Sequence, residues 1–194
     1  MQLYCDGLGT PHGDGSLYSP FNTNQRYFSK YPNILAAAYG LCSDDRARAL
    51  LERITLSREL QDIQPYFMHY LLEALRRHGL FGKYGRALLQ RWVEVVEKCS
   101  KGLKEGWIAP EPTYSFDHSH AWGGTPAYQM PMAFLGLEVL APGMKKLKLA
   151  PQLYWLERFD IACPTAYGMV RVQKENGCPA VVTAPAEIEI LLCE

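Results

Sequence analysis

The stretch Tyr114-Ser-Phe-Asp-His-Ser-His-Ala-Trp-Gly-Gly-Thr-Pro126 holds two of the five histidines, an aspartate, a tryptophan and paired glycines. It has no aliphatic side chain larger than Ala121, so burial of apolar surface does not account for it. Asp and His supply acid, base and hydrogen-bonding groups, and the aromatic rings offer flat faces suited to a sugar or a base. Gly123-Gly124 lets the backbone approach a ligand closely. The plainer reading is a polar loop whose histidines cap neighbouring elements.

The other acids near this stretch are Glu105 and Glu111. Glu105 lies in Gly102-Leu-Lys-Glu-Gly-Trp107, past a helix end and beside Trp107, where a solvated loop glutamate is the bland alternative. Glu111 sits between prolines in an extended segment. His118-Ser-His120 admits a metal reading with Asp117 as third ligand, because residues i and i+2 of an extended chain point the same way. No later His or Cys has a spacing that completes a zinc site, so no metal is expected. A GxSxG elbow is absent, and Gly7-x-Gly-x-x-x-Gly13 neither follows a strand nor opens a helix, which excludes a phosphate loop.

Composition narrows the class further. Hydrophobic residues make up 48% and charged residues 21%, enough for a packed core, and 20 basic residues balance 20 acidic ones. A neutral chain of this kind suggests neither nucleic acid nor membrane as partner. The six cysteines show no CxxC spacing; Cys42 and Cys99 fall in or beside apolar helical patterns and read as small core residues. There is no run of 18 apolar residues and no signal peptide at the start. The compartment is left open, cytoplasmic or periplasmic if the source is bacterial. The chain opens directly into a loop rich in Gly, Pro and aromatics over residues 5–31, as if beginning within a fold.

The elements that would position the site fall into two groups. Helices are expected after Pro32, from Asp44 to about Ile54 with Ser43 as cap, from Pro65 to Gly79, from about Tyr84 to Cys99, and over Ala127–Leu140 with Pro131 as kink or true start. In the fourth, Leu88, Leu89, Trp92, Val95 and Val96 would share a face. The helices imply stacked antiparallel hairpins, and the roughly 20-residue connection bearing the polar stretch is of a length usually functional. After Pro142-Gly143 the period drops to two: Met144–Ala150, Gly168–Lys174 and Ala186–Leu192 alternate, with Leu153–Ile161 and Ala180–Thr183 as further strands. Lys145, Lys146 and Lys148 then form the wet face of a strand. The expected class is α+β, with residues 1–141 helical and 142–194 a small antiparallel β domain.

Several stretches resemble the C-terminal part of bacterial α-L-rhamnosidases, inverting glycoside hydrolases with a six-hairpin α/α barrel and a following β-sandwich. They are Gln64-Pro-Tyr-Phe before a helix closed by Gly79, Arg91-Trp92, Ser119-His-Ala-Trp-Gly-Gly-Thr-Pro126, Gly136-Leu before Pro142-Gly143, and Leu149-Ala-Pro151 with Pro164-Thr-Ala-Tyr-Gly168. They follow the family's order. Counting forward from Trp92 without gaps places Glu105 on the family's base, with Lys104 where the family has tryptophan. Glu111 needs a six-residue insertion and stands as the alternative.

The resemblance implies a partial α/α barrel followed by a small β-sandwich, acting on terminal α-L-rhamnosides with inversion and without a cofactor. Glu105 would be the general base. His120 and Trp122 would hold the sugar, Trp107 would line the same site, and Asp117 and His118 would support the loop. The family's general acid lies in an earlier half with no counterpart here, so the module is expected to be inactive alone and to need that missing half as partner. Two alternatives remain: a non-catalytic carbohydrate-binding or accessory module, and metal-assisted hydrolysis through His118, His120 and Asp117.

Overall fold

The computed structural model describes residues 29–98, 102–103, 105–107, 120–152 and 155–193. Glu111, Asp117 and His118, Cys99, and all but the end of the 5–31 loop lie outside the described residues. The architecture is α+β, and the residues group into two compact units, one ending at Thr125 and the other beginning at Pro126.

Helix α1 spans Lys30–Ala38 and begins earlier than proline placement suggests, because the Ser29 side chain accepts the Tyr31 N–H as N-cap. Pro32 then falls within the first turn. Helix α2, Asp44–Ile54, starts after Ser43 with both aspartates at its positive end; Ala47, Leu50, Leu51 and Ile54 form its buried stripe. A 3-10 turn, Pro65–Phe67, leads into α3, Met68–Arg77, and Gly79 ends it at φ +69°. Helix α4 runs Phe81–Lys98. It starts before Tyr84 because Phe81 is fully buried and anchors the first turn. Leu88, Trp92 and Val95 are buried, but Val96 is 62% exposed: at 3.6 residues per turn it stands well round the helix from Val95. Helix α1 packs against α2 and α3, and α3 against α4.

Helix α5, Thr125–Leu135, carries Pro131 inside it, so that proline is not its start. It stops short of Leu140, since Gly136 turns at φ +55° and Glu138–Val139 is strand β1. A Cβ on Gly136 would stand 1.9 Å from the Ala150 carbonyl oxygen, so only glycine fits this crossing. The remaining strands are β2 (Lys146–Leu149), β3 (Phe159–Thr165), β4 (Gly168–Lys174), β5 (Val181–Thr183) and β6 (Glu189–Leu192). Strands β3, β4 and β5 form one antiparallel sheet in sequence order. The other sheet has order β1-β2-β6, and β2 pairs with β6 in parallel, which corrects the expectation of purely antiparallel pairing. A parallel partner must come from a distant segment, so no local turn signal can announce it.

Leu147 and Leu149 are fully buried while Lys146 and Lys148 face outward, pairing with Glu189 and Glu138 at 2.7 and 3.4 Å. Leu135, Leu137, Val170, Val172 and Ile188 complete a core shared by both sheets and the end of α5. Cys42, Cys163, Cys178 and Cys193 are free thiols; Cys42 is only half-buried, its sulfur 3.8 Å from the Ala36 carbonyl, and so is not a core residue.

Candidate functional site

The site is built on an extended segment, Gln61-Asp62-Ile63-Gln64, between α2 and the turn that opens α3. An extended strand without a sheet must bond its backbone elsewhere. Gln61 accepts the Lys30 N–H at 3.1 Å, and the Gln64 N–H donates to the Tyr31 hydroxyl at 3.2 Å. Ile63 accepts the Trp107 indole N–H at 2.6 Å, while the Gln64 side-chain oxygen accepts the Trp107 backbone N–H at 3.2 Å. Trp107 is thereby fixed through its edge and its main chain.

Asp62 works in the opposite direction, toward α1 and α4. Its Oδ1 takes the buried Lys30 ammonium at 2.8 Å and its Oδ2 takes Arg91 at 2.8 Å. Partial burial raises the cost of ionising this carboxyl. The Lys30 hydrogen bond and charge, then Arg91, outweigh that cost and hold it below its ordinary value. Arg91 also lies over the Trp107 ring, 3.8 Å from its centroid, and Trp92 meets the same ring edge-on at 5.3 Å.

The second half of the site comes from the polar stretch. The His120 N–H donates to the Leu103 carbonyl at 2.7 Å, so this stretch is stitched to the loop bearing Glu105. His120 Nδ1 caps the 3-10 turn Ala121–Gly124 by accepting the Trp122 N–H at 3.3 Å, which leaves the neutral ring's proton on Nε2. Gly123 is buried, and its carbonyl accepts the Trp92 indole N–H at 3.2 Å. Thr125 closes the turn onto the Trp122 carbonyl at 2.9 Å. Trp122 itself stays 52% exposed, against His120 at 4.7 Å and Tyr66 at 5.1 Å.

Glu105 and Trp107 are thus carried by one loop and His120 and Trp122 by another, and the two are joined by the backbone hydrogen bond from His120 to Leu103. Among the described residues the Glu105 carboxylate has no hydrogen-bond or ion-pair partner. Asp117, His118 and Glu111 lie outside the described residues, and among the described ones no group of three His, Cys, Asp or Glu side chains is placed to hold a metal. Tyr31, in the first turn of α1, packs on Phe67 at 4.4 Å beside this framework.

Sequence reasoning passed over Asp62 and saw Gln64 and Arg91 only as parts of a resemblance. The signal available was slight: an acid in a short extended stretch before Pro65. Its partners lie 32 and 29 residues away in the chain.

The fold has counterparts among solved structures. A GH78 family rhamnosidase of Bacillus sp. GL1 superposes with TM-score 0.80 at 17% identity, over 99% of this chain and 22% of that one. The chain shares its fold with a segment of the GH78 rhamnosidases. The α-L-rhamnosidase of Dictyoglomus thermophilum matches at TM-score 0.72 and 18% identity, over 91% of this chain and 21% of the other. That of Streptomyces avermitilis, solved with L-rhamnose, matches at 0.68 and 17%, over 86% and 19%. The chain spans about a fifth of the length of these structures. No protein-family model and no curated protein matches the sequence.

Proposed function

We propose that this chain is a module of an α-L-rhamnosidase, comprising the later part of an α/α-barrel catalytic domain and a small β-sandwich, that serves hydrolysis of terminal α-L-rhamnosides with inversion. The observation that carries the reading is the joining of the Glu105 loop to the His120–Trp122 turn, which sets a carboxylate and an exposed indole on adjoining loops. Inversion needs one carboxylic acid to protonate the leaving oxygen and a second carboxylate to deprotonate water on the opposite face, roughly 6.5–9.5 Å away. Glu105 is the base in this reading, with Glu111 as alternative. Trp122 and His120 hold the rhamnose, Trp107 fixes the base's loop, and Asp117 and His118 support the polar stretch.

The general acid belongs to the part of the barrel that this sequence does not match. The isolated chain therefore does not turn over rhamnosides, since loss of general acid–base assistance alone typically costs about 10²–10⁴-fold. The test is an assay on an aryl α-L-rhamnoside, with the chain alone and joined to an upstream barrel half. Robust turnover by the chain alone overturns the claim of inactivity. In the joined enzyme Glu105→Gln should abolish turnover; near-normal activity there with an inactive Glu111→Gln moves the base to Glu111. A second reading, a non-catalytic carbohydrate-binding module, draws support from the exposed Trp122–Tyr66 pair. It predicts L-rhamnose binding that neither glutamate substitution affects and no activity in the joined enzyme.

A further inference from the structure

We propose that Arg91 is a positioning residue for the base loop: anchored on Asp62, its guanidinium covers one face of the Trp107 ring and holds residues 105–107 in a single placement. The inference rests on the reading of Glu105 as base for its catalytic meaning, but its geometry stands apart from that reading.

Two hydrogen bonds fix the edge and backbone of Trp107, to Ile63 and Gln64. They leave the tilt of the ring to what lies against it, which among the described residues is Arg91 at 3.8 Å and Trp92 at 5.3 Å. Arg91 can do this because its guanidinium is planar: one edge can pair with the Asp62 carboxylate while a face lies over the indole, and a lysine ammonium cannot do both. The carboxylate is itself held from its other side. Its other oxygen is taken by Lys30, which is buried and also directed at the Thr55 carbonyl at 3.4 Å. The chain of contacts thus runs from the α1 and α2 interior through Asp62 and Arg91 to Trp107, two residues from Glu105. Loss of the stack leaves Asp62 paired with Lys30, so the helices should remain folded when Arg91 is changed.

The sequence has four tryptophans, at 92, 107, 122 and 155, which makes their indole N–H groups separable reporters in the full chain labelled with ¹⁵N-tryptophan. Trp92 is the internal control, since it adjoins Arg91 and its indole N–H bonds to Gly123. In Arg91→Lys, hydrogen exchange at the Trp107 indole should rise about tenfold through local opening, with the Trp92 indole changing by less than about twofold. Asp62→Asn should act in the same direction by releasing the guanidinium. Unchanged exchange at Trp107 in both variants overturns the proposal, as does an equal rise at Trp92 and Trp107, which would mark a general loosening of α4.

The same spectra, titrated with L-rhamnose, separate this inference from the functional reading. Weaker binding by Arg91→Lys, with Trp107 alone losing protection, supports both. If the wild-type chain shows no response to L-rhamnose, the sugar assignment fails and the indole comparison still decides the positioning role.

Discussion

The helical unit and the sheet core bury different things. In the helical unit Lys30, Asn33 and Thr55 are buried, and each has a defined partner: Asp62 for Lys30, the Ser29 carbonyl for Asn33 at 2.9 Å, the Leu51 carbonyl for Thr55 at 2.6 Å. The seven fully or nearly buried residues of the sheet core are all Leu, Val or Ile. An aliphatic core asks only for matching volume and pattern. A buried polar group asks for a particular partner in a particular place, because leaving it unpaired costs more than the bond contributes. The candidate site lies in the helical unit, among these paired polar groups, while the sheet core has the character of a scaffold.

Substitutions can break or sharpen this contrast. The largest effect is expected in the sheet unit at Gly136, where Ala meets both the left-handed backbone and the Ala150 carbonyl. A left-handed penalty of roughly 1–2 kcal/mol added to overpacking of roughly 1–3 puts Gly136→Ala at about 4 kcal/mol of destabilisation in urea unfolding. A loss under about 1 kcal/mol would show that the α5–β2 crossing is pliable rather than close-packed.

Next is Asp62→Ala, which strands the buried Lys30 ammonium. Removing one partner of a buried pair costs about 3 kcal/mol, and Lys30→Met in the same background should recover part of it. Failure of that rescue would mean Asp62 stabilises the unit by something other than pairing Lys30.

The acid side of the stability curve tests the pairing of the helical unit's two half-buried carboxyls, whereas Asp160 on the sheet, also held low by Arg171, is exposed. Asp62 and Glu73 both sit below their ordinary values; partial burial opposes this, but Lys30 and Arg91 in one case, Arg76 and Arg77 in the other, prevail. A carboxyl depressed on folding contributes stability that is complete above its unfolded pKa and lost as pH falls through the folded one. Stability of the helical unit should thus decline as pH drops below about 4, and Asp62→Asn should flatten that decline. An unaltered acid limb in Asp62→Asn would contradict the assignment.

The smallest effect belongs to the exposed pairs on the sheet. Glu189→Gln, opposite Lys146, should change stability by less than about 1 kcal/mol, and by less still in high salt. A larger loss would show that the wet face of β2 does more than solvate the scaffold.

What the sequence alone determined was local. Ser43 before paired aspartates, Gly79 after Arg77, the buried spacing of Phe67, Leu71, Leu72 and Leu75, and the change of period near Pro142 each act within a few residues, so pattern suffices to read them. The polar stretch was marked by composition as something other than core, and the plainer part of its reading is met locally, where His120 caps the turn Ala121–Gly124. Tertiary structure alone decided which strand lies beside β2 and that Asp62 is the meeting point of Lys30 and Arg91. Those outcomes depend on segments tens of residues apart being brought within bonding distance. Hydrophobic burial of the helices does that bringing together, and it leaves no mark at the positions that happen to meet.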